Sequence, residues 1–212
     1  RDLPPRHRAA PILHLHPPVG RSSGMKRESG SGSNKLGRRS KKARRLNAWL
    51  VFLDESGLLM GPLVRRSWQP RGQTPVLVQR GRRLEKVSAL AALSVSPRRD
   101  RVRFYFRLHP KAEIGALQVV GFLRYLNQEL KGACVLLWDR LNAHRAKRTA
   151  QFIAGVDHLH PFFLPAYAPE LNPVEYAWSN LKMNPLANRP AFETAELAAL
   201  PHRHARSLQR NA

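Results

Sequence analysis

The chain has 212 residues and carries 37 Lys and Arg against 14 Asp and Glu, a formal net charge of +23. That length buries one core with at most a small appendage, and the charge calls for a polyanionic partner, nucleic acid ahead of an anionic membrane surface. A single cysteine, Cys134, excludes a disulfide scaffold and a cysteine-rich zinc module, and no apolar run reaches the ~18–20 residues of a membrane span.

Residues 1–46 do not read as a folded domain. Pro4, Pro5, Pro11, Pro17 and Pro18 interrupt any regular pattern, and Gly and Ser dominate from Gly20 to Ser33. Thirteen of the Lys and Arg fall here, Lys41, Lys42, Arg44 and Arg45 among them, against Asp2 and Glu28. The expectation is a basic disordered or remnant arm that adds salt-sensitive phosphate contacts. No secretory core follows the basic start, which predicts a cytoplasmic, nucleoid-associated protein.

From Ala48 the texture becomes that of a folded domain, expected over 47–200 with a basic tail at 201–212. Trp49 to Leu53 is a buried-strand pattern ending in Asp54, with Gly57 as a turn residue. Arg65, Arg66, Trp68 and Arg71 then mark a cationic, aromatic loop suited to backbone contact and stacking, or a packed Trp among solvated arginines. Val76 to Gln79 and Lys86 to Val95 read as strands. Arg101 to Leu108 alternates, with Val102, Phe104 and Phe106 opposite a largely cationic face.

Over 116–130 the period lengthens, and Leu117, Val120, Leu123, Leu126 and Leu130 form one helical stripe. The apolar run Ala133 to Trp138 predicts a strand with Asp139 at its end and Cys134 as a buried small hydrophobe. A helix near 146–153, a strand near 159–163 and a helix opened by Asn172 and Pro173 follow. Residues 192–200 predict a last short helix, with a frayed end beyond His202. The order predicts an α/β protein with a mixed sheet flanked by helices.

Asp54 and Asp139 both end core strands in this reading, and Glu175 lies in the first turn of the later helix. Carboxylates crowded together repel one another and call for cations. Mg2+ or Mn2+ suits oxygen donors, and two ions about 4 Å apart can serve an in-line phosphoryl displacement. Solvated strand-end or capping carboxylates are the plain alternative, and Glu55 and Glu170 compete for the same roles.

The segment Phe163 to Trp178, with Pro165-Ala166-Tyr167-Ala168-Pro169-Glu170-Leu171-Asn172-Pro173-Val174-Glu175 at its centre, closely resembles the signature of IS630/Tc1-mariner transposases. Trp138-Asp139 with Asn142 and His144 resembles their second catalytic block. Phe52 to Gly57 with Arg66 to Gly72 resembles their first. The resemblance implies a ribonuclease-H-like catalytic domain whose Asp, Asp, Glu triad is Asp54, Asp139 and Glu175. It further implies DNA cleavage by water assisted by Mg2+ or Mn2+, then attack of the 3′ hydroxyl on target DNA by a homodimer assembled on transposon ends in a bacterial cell. Asn142 and His144 stand ready to orient Asp139, contact DNA or cap the next helix.

That family places a helix-turn-helix region before the catalytic domain, and residues 1–46 hold no such pattern. The expectations are a separate chain that supplies recognition, a fragment of a longer protein, or a decayed copy. A basic nucleic-acid-binding protein without catalysis, and a nuclease of similar fold without strand transfer, are the competing readings.

Overall fold

The computed structural model describes residues 41–59, 64–66, 68, 70–71, 73–74, 76, 86–166, 168–184, 186–188 and 193–210. Residues 1–40 and all but Val76 of the strand expected at 76–79 lie outside them. A short helix α1 (41–45) precedes β1 (Trp49–Leu59), β2 (Lys86–Val95) and β3 (Val102–Pro110). Helix α2 (Ala116–Glu129), β4 (Cys134–Trp138), α3 (Asn142–Arg145), α4 (Lys147–Ala154) and β5 (Leu159–Phe163) follow. A 3-10 turn (Pro169–Leu171), α5 (Val174–Met183) and α6 (Thr194–Arg210) complete the chain.

The five strands form one sheet in the order β3-β2-β1-β4-β5. β1 pairs antiparallel with β2, and β2 with β3, whereas β1–β4 and β4–β5 are parallel. Parallel neighbours need a crossover, and α2 supplies it for β1 and β4, α3 with α4 for β4 and β5. β4 is buried at every position, as is β1 from Trp49 to Asp54. Both faces of these central strands are covered, so their sequences run apolar instead of alternating.

Strand parity divides the core. Leu50, Phe52, Val135 and Leu137 face α5 and α6, packing with Val174, Trp178, Leu181 and Ala205. Trp49, Val51, Leu53, Leu136 and Trp138 face α2 with Val119, Phe122, Leu123 and Leu126. Leu137 is fully buried in β4 and pairs in register with Phe52. Truncating it to Ala is expected to cost about 2–5 kcal/mol, read as a lower urea midpoint with an unchanged slope.

Several expectations need correction. β1 does not turn at Gly57, because β2 keeps pairing with it as far as Leu59↔Lys86; this also buries Leu58 against Val87, Leu186 and Leu197. The stripe of α2 lies at Val119, Val120, Phe122, Leu123 and Leu126, while Leu117 is exposed. The cationic face of β3 is not bare: Tyr105 is buried, and Arg103 and Arg107 lie over the rings of Trp49 and Tyr125 at 5.6 and 5.5 Å. The guanidinium groups themselves lie over the ring faces, a cation–π arrangement.

The packed body also extends past 47–200 at both ends. Ala43 of α1 is fully buried in the same cluster as Ala205 of α6. The expected frayed tail is helical to Arg210, with Pro201 inside α6. Leu197, Pro201, Ala205 and Leu208 recur at helical spacing against the sheet. Among the described residues no helix is long and apolar enough to cross a membrane. Cys134 is buried, which pushes its thiol up to about 12.

Candidate active site

The site begins with the register of two parallel strands. Phe52 pairs with Leu137, so two further residues along each strand bring Asp54 and Asp139 to the same level. β4 stops at Trp138, whereas β1 continues on its β2 side, with Asp54 opposite Ala91. Asp54 is therefore a mid-strand residue beside the point where its parallel neighbour ends, not a strand-end residue as expected.

Parity turns Asp54 toward α5, and only 8% of it is exposed. The indole Nε1–H of Trp178 donates to its Oδ2 at 3.0 Å. Glu175 enters from the first turn of α5 and is exposed. Asn172 sets that approach: its Nδ2 donates to the Leu53 carbonyl at 3.3 Å, and its Oδ1 accepts from the Val174 N–H at 3.3 Å. Its own carbonyl accepts from the Glu175 N–H at 3.1 Å. One buried amide thus ties the start of α5 to the residue before Asp54.

Burial, then the charges of Glu175, Glu55 and Asp139, push the Asp54 carboxyl from 3.8 up to about 7, against a smaller opposing effect of the Trp178 hydrogen bond. Asp139 and Glu175 are thus near enough to Asp54 for their charges to act on it, but among the described residues the three do not bring ligand atoms within 4.8 Å of one another.

Glu55 turns the other way. Adjacent residues of a strand face opposite sides, so Glu55 meets α3 while Asp54 meets α5. Its Oε1 lies 2.6 Å from Nε2 of His144, whose Nδ1 lies 2.8 Å from Oδ1 of Asp139. The Leu141 N–H donates to that same Oδ1 at 3.0 Å. With a carboxylate at each ring nitrogen, the imidazolium form donates from both. Burial opposes the charge on His144, but the hydrogen bonds and charges of Asp139 and Glu55 outweigh it and raise its pKa to about 9. Burial likewise works to raise Asp139, yet His144 and the Leu141 N–H hold its carboxyl below the usual range.

Glu55, Asp139 and His144 bring ligand atoms within 4.8 Å of one another. A cation does not fit among them in this state, because both ring nitrogens are occupied by protons shared with the carboxylates. The triad expected from sequence offers free oxygens, though they are not drawn together to that distance. Asp54 keeps Oδ1 uncommitted, Asp139 keeps Oδ2, and the Glu175 carboxylate takes no hydrogen bond among the described residues. These are hard oxygen donors of the kind Mg2+ and Mn2+ accept.

The remaining expected residues are placed elsewhere. Arg65, Arg66, Trp68 and Arg71 are exposed, and among the described residues nothing covers the Trp68 ring. Their loop is pinned by Asn188, whose Oδ1 accepts from the Arg65 N–H at 2.6 Å and whose Nδ2 donates to the Arg65 carbonyl at 2.7 Å. Lys41, Lys42, Arg44 and Arg45 point outward from α1, with Lys42 at 4.9 Å from the centroid of the Phe162 ring. Asn142 is exposed beside the centre. His144, expected among side chains available to DNA, is instead buried, its side chain 0% exposed. Glu55 was legible only as a competitor of Asp54; the period of two, applied across β1, separates their roles.

The mixed sheet, with one carboxylate on β1 and another just past the end of its parallel neighbour β4, defines a ribonuclease-H-like α/β domain. A profile of the DDE superfamily endonuclease matches residues 49–198, and the chain belongs to that family. No curated protein matches the sequence. Among solved structures, the chain is similar to a Mos1 transposase paired-end complex with left transposon end, at 18% identity and a TM-score of 0.57, over 92% of this chain and 60% of that one. It is similar to a mariner Mos1 paired end complex with Mg, at 16% identity and a TM-score of 0.58, over 92% and 60%. A Mos1 strand transfer complex matches at 16% identity and a TM-score of 0.54, over 94% and 64%. At these identities the likeness is one of fold, and this chain spans about three fifths of the length of the chains it matches.

Proposed function

We propose that this chain carries the DNA-cleaving and strand-joining centre of an IS630/Tc1-mariner type transposase, with Asp54, Asp139 and Glu175 holding Mg2+ or Mn2+, two ions in the working site. The observation that carries this reading is the Asp54 carboxyl, buried at mid-sheet and raised to about 7 among three other acids. Such a group ionises fully at neutral pH only beside added positive charge. Bound there, the ions supply orientation of the attacking hydroxyl and charge stabilisation at both oxygens of an in-line displacement.

The chain's own contribution is placement. Trp178 fixes Asp54, the Leu141 N–H and His144 fix Asp139, and Asn172 aims the first turn of α5. Water breaks a phosphodiester to leave a 3′ hydroxyl, and that hydroxyl then attacks a target phosphodiester, with the same three carboxylates serving both steps. Arg65, Arg66, Trp68, Arg71, Asn142 and the cations of α1 hold the DNA backbone, which makes binding salt-dependent. Residues 47–200 carry the catalysis and the basic segments at 1–46 and 201–212 add phosphate contacts. The working unit is a homodimer on transposon ends and target in the bacterial cytoplasm.

The test uses purified protein, supercoiled plasmid and a labelled duplex bearing a free 3′ hydroxyl. Nicking and joining are expected with Mg2+ or Mn2+ and are expected to stop on chelation. Cutting without joining would support a nuclease of the same fold instead. DNA binding with neither activity would sink the enzymatic reading.

A further inference from the structure

The five-residue return from Asp139 to His144 closes a loop through side chains. Asp139 itself is half-exposed on a short connection after β4, where an unrestrained carboxylate would rotate freely. His144 removes that freedom. It stacks on Trp138, with ring centroids 4.3 Å apart and planes 18° apart, and bonds Asp139 through Nδ1 at 2.8 Å. Its other nitrogen is held at 2.6 Å by Glu55, a residue of the neighbouring strand whose side chain is only 10% exposed. Thr149, fully buried on α4, donates to the Ala143 carbonyl at 2.7 Å and so clamps the turn that carries His144. On the carboxylate, the contacts from Nδ1 and the Leu141 N–H both fall on Oδ1 and none falls on Oδ2 among the described residues, while Nδ1 also reaches the Asp139 main-chain carbonyl at 3.2 Å.

We propose that His144, anchored by Glu55, is a positioning residue that locks the Asp139 carboxylate so that one defined oxygen meets the metal ion. The proposal rests on the reading of Asp139 as a metal ligand. Glu55 is thereby not a fourth ligand but the anchor of a side chain that orients one. Partners of this kind behind a metal ligand change metal affinity by about 10–100-fold when removed.

The test is Mn2+ binding to the DNA-free protein, followed by the paramagnetic resonance signal of free Mn2+, together with thermal melting. Glu55→Ala is expected to weaken Mn2+ binding by about 10–100-fold. Glu55→Gln, which keeps an oxygen to accept from Nε2–H, is expected to recover most of that loss. Should Glu55→Ala not fold, His144→Asn serves in its place: it keeps a donor toward Asp139 but cannot reach Glu55, and it is expected to bind Mn2+ about tenfold more weakly. Asp139→Asn separates the two claims. If it binds Mn2+ as the wild type does, the metal-ligand reading itself fails. If it loses Mn2+ while Glu55→Ala binds normally with only a lower melting temperature, Glu55 and His144 are structural ties and the positioning role is overturned.

Discussion

Asp54→Asn is expected to reduce metal-dependent nicking roughly a thousandfold, while making the metal-free protein more stable above pH 7. Both effects come from one buried carboxylate. In the folded chain its pKa rises from 3.8 to about 7, first through burial and then through Glu175, Glu55 and Asp139. Below about pH 4 both folded and unfolded chains hold the proton, and the group contributes no pH dependence. As pH rises from about 4 to about 7 the unfolded chain releases the proton before the folded one does, so stability falls across that window and stays lowered above it. At about 1.4 kcal/mol per pKa unit the full loss is about 4 kcal/mol. Asparagine cannot ionise, yet its carbonyl can still accept from the Trp178 indole. The difference in melting temperature between Asp54→Asn and wild type, without metal, should be small at pH 4 and large at pH 8. Equal melting curves at pH 8 would show that Asp54 is not strained by its neighbours.

Trp178 supports the largest stability effect. It is 2% exposed, packs between α5 and the sheet, and donates to Asp54 across 124 residues of sequence. Trp178→Ala is expected to lose about 3–5 kcal/mol, measured by urea unfolding followed by circular dichroism, since the substitution removes an indole reporter. Trp178→Phe separates packing from hydrogen bonding. It keeps most of the ring volume but removes the N–H that lowers the Asp54 pKa. Its pH–stability window should therefore extend to higher pH than that of the wild type, while its loss of stability at low pH is smaller than that of Trp178→Ala. An unshifted window would mean that the indole contributes packing alone.

What the sequence discloses here depends on the range of the interaction. The block Pro165 to Glu175 is local, and its turn chemistry at Asn172 and Pro173 is legible because one short segment contains it. Asp139 is legible for the same reason, standing directly after the apolar run of β4. The division of labour between Asp54 and Glu55 is not, because Trp49 to Leu53 is apolar on both faces and gives no parity. Only the helices packed on each side reveal which acid faces which. His144 lies in a polar stretch, where orienting Asp139, contacting DNA and capping the next helix stay open; its partner Glu55 is 89 residues away. The reach of β1 past Gly57 likewise depends on β2, which no local turn signal at glycine can disclose. At the other end the basic segment beyond His202 reads as frayed, although Leu197, Ala205 and Leu208 carry the helical period through it.

The opposite facing of Asp54 and Glu55 makes the centre sensitive to how β1 is threaded during folding. A slip of one residue in strand pairing moves every side chain to the other face of the sheet. Such a misthreaded chain would hold every acid of the site and yet set Glu55 beneath α5 and Asp54 against His144. The bulky residues around them oppose that error, since Phe52 and Trp49 would exchange faces as well. The apolar residues flanking the acids therefore act as a proofreading device, selecting the one pairing of β1 and β2 in which the carboxylates meet.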